Sequence, residues 1–375
     1  MYYVEPAATP LSLDKMRETV AAEFPDERIS GVALRGEPQC TVEFMLQSDA
    51  YGLRHVYVDP YTAKLVGNRV HNECFFPVVR SLHRSVYAGV FGRLLMELAT
   101  GWGVILVITG LYLWWPKTKS AAGVWYPRWK GMTTKIVLRD LHAVFGMYLA
   151  PIALVIEATG MFFTFIWGQS YLTVMFMSGG GPLAYVDAPA SDPLGHSRTI
   201  PLQQVFEIAQ QQDAGAFPLS IDLPHDEKDV YRVHLGVSSD PTSQAIYVVD
   251  QYTGQASTRT DMSNSSVMLS LLVFAYPLHV GSILGITTKI LAFLACMVLI
   301  LTSITGFWMW WRARPRGPRG FPQRAENYHV NRWVVLVVLT ASLVLPVVGA
   351  SLAVVLVGEF VCSFIALQAS RARQF

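Results

Sequence analysis

His83 and His279 carry the strongest chemical signal in the chain, because each introduces the same run of residues. Ser81-Leu82-His83 leads through Gly89, Arg93, Thr109, Gly110 and Trp114-Trp115. Pro277-Leu278-His279 leads through Gly285, Lys289, Thr305, Gly306 and Trp310-Trp311, and every pair is 196 residues apart. Each run is apolar and long enough to cross a bilayer, with a histidine at its entrance and a tryptophan pair at its exit. An ionisable side chain kept at matching depth in two membrane helices is costly and points to a site. Two neutral imidazoles on two helices suit the axial positions of a low-spin haem iron, and a closed six-coordinate site favours electron transfer over oxygen binding.

Other residues are weaker candidates. Arg84, beside His83, could pair with a haem propionate through bidentate bonds, although arginine at a membrane boundary is also routine snorkelling. Glu97 and Glu157 fall inside apolar runs, where a carboxylate is either a satisfied contact or a proton-linked group. His55, His71, His196, His225 and His234 lie in polar sequence without metal-ligand spacing and read as surface residues. The four cysteines form no CxxC or CxxCH, which leaves no basis for zinc, iron–sulfur or covalent c-type haem. No glycine-rich nucleotide fingerprint occurs, so the chain has no recognisable site for a soluble reductant of its own.

Membrane helices must position these histidines. The chain is 52% hydrophobic and 15% charged, with ten tryptophans, a balance foreign to soluble enzymes. A net charge of +2 gives no reason to expect nucleic acid. Runs of roughly twenty apolar residues place four spans at about 86–115, 141–167, 283–311 and 333–357. The first of them begins only after His83, so no cleavable leader is expected. Basic residues gather in 116–140 and 312–332, which the positive-inside rule assigns to the cytoplasm. Residues 1–80 and 168–267 then face the opposite side.

These two outer stretches resemble each other. Each has a helical stretch, Leu11 to Phe24 or Leu202 to Gln212, followed by strand-like runs. The last runs end in Asp59-Pro60-Tyr61-Thr62 and Asp250-Gln251-Tyr252-Thr253. An Asp that bonds its own backbone starts such a hairpin turn. The expected architecture is a mostly α membrane protein of about four helices in a bundle, with two small α+β units. Its divisions fall at 1–80, 81–167, 168–267 and 268–375.

The pairing of these hairpins with Leu82-His83-Arg84, Thr109-Gly110 to Trp115-Pro116, Leu141-His142 with Gly146, and Pro277-Leu278-His279 resembles the PepSY-associated transmembrane proteins. Within them it looks most like the inner-membrane ferrisiderophore reductases of the FoxB type. That resemblance covers nearly the whole chain. It implies b-type haem, PepSY-like periplasmic units in the bacterial inner membrane, and electron delivery to an iron chelate such as a ferric siderophore. Family members usually carry one more helix, with its own histidine, before the first unit. This sequence starts directly at the unit, so either its start is shortened or miscalled or the subgroup has lost that helix, and the default partner of His142 is missing from it. His329, at the cytoplasmic start of the last span, is the candidate replacement. His83 with His279 and His142 with His329 would then hold two haems, relaying electrons from a quinol or a cytoplasmic reductase. A non-redox binding or assembly module and an iron-chelate transporter component are the rival classes.

Overall fold

The computed structural model describes residues 2–7, 9–116, 121–182, 190–193, 198–213, 215, 217, 219–237, 239–313 and 332–372. In chain order the first elements are α1 (Leu13–Glu23), β1 (Arg28–Leu34), β2 (Val42–Ser48), β3 (Gly52–Val58), β4 (Leu65–Val70), α2 (Phe75–Ser85), α3 (Gly89–Trp114), α4 (Thr134–Gly160) and α5 (Ile166–Met177). There follow α6 (Leu202–Gln212), β5 (Leu219–Asp222), β6 (Val230–Leu235), β7 (Ala245–Asp250), β8 (Ala256–Asp261), α7 (Val267–His279), α8 (Ile286–Ala313), α9 (Arg332–Val344) and α10 (Pro346–Ala372). The chain divides into two compact units: Met1–His83 with Leu172–Pro277, and Arg84–Tyr171 with Leu278–Phe375.

In the first unit the two outer stretches share one sheet. Its order is β4-β3-β2-β1-β5-β6-β7-β8, antiparallel throughout. Two separate α+β units were expected. Instead β1 and β5 pair from Gly31↔Asp222 to Leu34↔Leu219. The physical reason is that each half would otherwise leave β1 or β5 as an open edge with unpaired backbone groups, and each edge satisfies the other. Gly31 belongs at this seam, since a Cβ there would lie 2.8 Å from Met45 Cε and 3.1 Å from the Ile221 carbonyl.

Helices α1 and α6 bury the same spacing of residues, Leu13, Met16 and Val20 in one and Leu202, Val205 and Ala209 in the other. This i, i+3, i+7 stripe is one face of a helix. Both stripes join a single core with Val32, Phe44, Leu46, Val56, Ile221, Val233 and Val249. The helix starts are capped crosswise. Leu202 N and Gln203 N donate to Asp14 Oδ1 and Oδ2 at 2.8 and 3.0 Å, while Leu13 N donates to Gln203 Oε1 at 3.1 Å. Each helix thus supplies the acceptor for amides that the other leaves orphaned.

The expected Asp-led turns also form. Asp59 accepts from Tyr61 N and Thr62 Oγ1 at 2.9 and 2.7 Å. Asp250 Oδ1 accepts from Tyr252 N, Thr253 N and Thr253 Oγ1 at 2.9, 2.7 and 2.9 Å. Tyr61 and Tyr252 donate their hydroxyls to the Pro38 and Glu227 carbonyls, each at 3.0 Å. The residue closing each turn is left-handed: Ala63 with φ 55° and Gly254 with φ 73°.

The second unit contains four helices long and apolar enough to cross a membrane, Gly89–Trp114, Thr134–Phe163, Ile286–Ala313 and Pro346–Ile365. Small residues set their contacts. A Cβ on Gly146 would meet Thr302 Cγ2 of α8 at 3.5 Å, and one on Gly101 of α3 would meet Val348 Cγ2 of α10 at 2.6 Å. Beside that second contact, Trp102 Nε1 donates to Ser351 Oγ at 3.1 Å.

Three expectations about the spans need correction. The span placed at 333–357 is divided, because Pro346 has no N–H to continue the ladder: α9 ends at Val344 and α10 begins at Pro346. Helix α10 itself runs on through Ala372. The span placed at 141–167 begins earlier, at Thr134, and ends at Phe163. Finally, His83 and His279 do not open the spans themselves. His83 lies in the last turn of α2 and His279 ends α7, and residues with left-handed backbone separate these shorter helices from the spans: Val86 and Tyr87 before Gly89 opens α3, Gly281 and Gly285 before α8.

Candidate functional site

His279 is the last residue of α7, half-buried against α4. Its Nδ1 donates to the Ile156 carbonyl at 2.8 Å, and the ring lies against Gly160, where a Cβ would stand 2.9 Å from Cε1. Phe163 lies beside it, with ring centroids 5.6 Å apart. Because a carbonyl only accepts, the proton sits on Nδ1 and Nε2 carries the lone pair.

His142 stands in the third turn of α4, and α8 holds it in the same way. Its Nδ1 is 3.0 Å from Thr305 Oγ1, whose own hydroxyl donates to the Leu301 carbonyl at 2.7 Å. Oγ1 is therefore the acceptor from His142, and Nε2 again carries the lone pair. Gly306 lies under the ring, a Cβ there reaching 3.3 Å from His142 Cε1. Two histidines are thus fixed through Nδ1 by an oxygen acceptor and flanked by a glycine. That is how a protein orients an imidazole whose other nitrogen serves as a metal ligand.

Two residues before His142 on α4, Asp140 lies fully buried beneath two arginines. Arg128 reaches it through Nε and NH2 at 2.7 and 2.9 Å, and Arg139 through NH2 at 2.9 Å. The Arg128 backbone amide adds a bond at 3.1 Å. This cluster ties the loop 121–133 to the start of α4, the end that carries His142.

The remaining candidates divide. His83 lies in the last turn of α2 and is exposed, as is Arg84. His329 lies outside the described residues, as does His196. Glu97 has the structural role: its buried carboxylate accepts from Ile166 N and Trp167 N at 2.7 and 3.0 Å, capping α5. Arg93, one turn earlier on α3, places its guanidinium 4.6 Å from the centroid of Phe165. Glu157 differs, since its Oε2 is buried and makes no hydrogen bond among the described residues, while Oε1 would stand 2.5 Å from a Cβ on Gly103. Residues not singled out from sequence as partners are Ile156, Gly160, Thr305 and Gly306 in their contacts with the histidines. The repeated Thr-Gly pair was the available signal for the last two, but it read only as a close-packing element.

His55 and His71 were expected to be surface residues. Both are instead half-buried and bonded to each other, Nε2 to Nδ1, at 3.0 Å. Among the described residues no group of three or more His, Cys, Asp or Glu side chains is arranged to hold a metal ion.

A multi-pass membrane bundle, with an antiparallel sheet and histidines fixed inside the helical part, is the class that these features define. The model of the PepSY-associated TM region matches residues 1–313, and the chain belongs to that family. No curated protein matches the chain.

Proposed function

We propose that this protein is a haem b-containing electron-transfer protein of the bacterial inner membrane, which reduces a ferric siderophore or another ferric chelate on the periplasmic side. The observation that carries the reading is the shared mode of holding His142 and His279, each fixed through Nδ1 by an oxygen acceptor beside a glycine. Membership of the PepSY-associated family and the FoxB-like motifs support it. The sequence correspondence between the two His-led segments, which we read as an internal duplication, adds His83 as the counterpart of His279.

In this reading His83 and His279 would hold one haem, His142 and His329 another, and Arg84 would pair with a propionate. When bound, haem supplies one-electron chemistry at a potential that its ligands and surroundings set. The protein's own residues orient the imidazoles, keep the ligand nitrogens unprotonated and pack the helices around them. The basic stretches 116–140 and 312–332, read by the positive-inside rule, support a periplasmic sheet unit, and the electrons would come from a quinol or a cytoplasmic reductase. A ferric chelate loosens when its iron becomes ferrous, which frees the metal without acid–base residues.

The test is a dithionite-reduced minus oxidised spectrum of purified protein, with haem stoichiometry. Two b-type haems are expected in wild type. His83→Ala and His279→Ala should lose one, and His142→Ala and His329→Ala the other, with a ferric chelate reoxidising the reduced wild type. A protein without haem overturns the proposal and favours a binding or assembly module.

A further inference from the structure

Glu43 on β2, His55 on β3, His71 in the short helical turn after β4, and Arg80 on α2 form one hydrogen-bonded line. His55 Nδ1 is 2.7 Å from Glu43 Oε1, His55 Nε2 is 3.0 Å from His71 Nδ1, and His71 Nε2 is 2.7 Å from Arg80 NH2. The register explains the meeting: Glu43 lies opposite Tyr57, and His55 opposite Met45 and Arg69, so these side chains share one sheet face.

The ends of the line fix its direction. Arginine only donates and an ionised carboxylate only accepts. Arg80 therefore donates to His71 Nε2, His71 Nδ1–H to His55 Nε2, and His55 Nδ1–H to Glu43, with each imidazole neutral. One more proton disturbs this order wherever it enters. On His71 Nε2 it meets the guanidinium directly. On His55 Nε2 it forces the His71 proton across the ring to Nε2, where it meets Arg80 again. In both cases the bond to α2 is lost.

We propose that Glu43, His55 and His71 form a proton-binding site that holds α2 through Arg80 when the two imidazoles are neutral and releases it when they are protonated. The groups facing the site are Tyr57 on β3, whose hydroxyl lies 3.4 Å from Glu43, and Arg69 on β4, 5.3 Å above the Tyr57 ring. Arg35 adds charge near Glu43, and Cys74 lies near Tyr57. Burial pushes the Glu43 carboxyl up, but the His55 hydrogen bond and the charges of His55, Arg69 and Arg35 leave it below its ordinary value. Burial and the Glu43 charge push Tyr57 up to about 12, so it keeps its proton where His71 titrates. Burial, then His55, Arg80 and Arg69, hold His71 below its ordinary value of 6.5. The sign follows: the anchor is complete above 6.5 and is lost as pH falls through the depressed His71 value.

His83 lies one turn beyond Arg80 on α2. On the haem reading proposed above, the site is thus a positioning device for a ligand helix, although release of α2 itself stands apart from that reading. Hydrogen exchange of full-length purified protein, followed on peptides covering residues 75–85 and corrected for intrinsic rates, tests it. Exchange in wild type should be roughly fivefold faster at pH 5.5 than at pH 7.5, the scale of one exposed charged contact. His71→Phe and Arg80→Gln should show the faster rate at both pH values, and Arg80→Lys should restore the wild-type pattern. Exchange in wild type that does not depend on pH, or a pH dependence kept by both His71→Phe and Arg80→Gln, overturns the proposal. So does added zinc protecting this segment in wild type but not in His55→Ala, which would make the pair a metal site. Haem content of the same samples judges the electron-transfer reading separately, because the exchange pattern is read with or without haem.

Discussion

Helices α3 and α8 share their spacing of Thr-Gly and Trp-Trp, yet they are engaged at opposite ends. On α3 the first half is occupied: Arg93 meets Phe165 and Glu97 caps α5. The position matching Glu97 on α8 is Phe293, which is exposed. On α8 the second half is occupied, with Thr305 only 4% exposed beneath His142 and Gly306 under the ring. On α3, Thr109 and Gly110 are exposed, and nothing lies within 4 Å of a Cβ on Gly110. Both threonines still donate back to their own helix at 2.7 Å, Thr109 to Ile105 and Thr305 to Leu301. The local chemistry of the Thr-Gly pair is therefore common to both helices, and the docking of a histidine belongs to the neighbour.

Substitution at matched positions breaks or sharpens this contrast. The largest effect is expected for Glu97→Ala, which strands two amides at the start of α5 and should cost about 3 kcal/mol in detergent unfolding. Phe293→Ala should stay within about 0.5 kcal/mol. Next, Gly306→Val drives a branched side chain into the His142 ring and should cost about 2 kcal/mol, whereas Gly110→Val should leave the melting temperature unchanged. Equal losses at residues 110 and 306 would end the comparison. In the sheet unit, Asp14→Ala removes the acceptor of two amides and should cost about 1 kcal/mol, more than Gln203→Ala, which removes one. The smallest effect is a gain: Ala63→Gly relieves a left-handed alanine where its counterpart is already Gly254, and should stabilise by about 0.5 kcal/mol. Chemical denaturation read by tryptophan fluorescence ranks all of these.

Much of this organisation was legible in sequence, for reasons that differ by element. The spans announced themselves by uninterrupted apolar length. Leu202–Gln212 followed from its apolar spacing, and the two Asp-led turns from a bond that an aspartate makes within its own segment. What stayed hidden depends on partners distant in the chain. Pairing of β1 with β5 is a backbone event between edges about 185 residues apart, and backbone edges leave little mark on side-chain choice. The break at Pro346 lies inside a run whose apolar length reads as one span. The line from Glu43 to Arg80 was missed because its histidines have no motif spacing, and antiparallel register alone brings them together.

The seam between β1 and β5 also has a consequence for biosynthesis. Between these strands the chain passes through α3 and α4, both long and apolar enough to cross a membrane, so two candidate crossings separate the paired edges in the chain. On a ribosome adding roughly 5–20 residues per second, β1 emerges on the order of ten to forty seconds before its partner strand. For that interval the first half of the sheet carries an open edge able to pair with a stranger. Closure comes only after the two intervening candidate spans have been synthesised, which makes their insertion a step in the folding of the sheet.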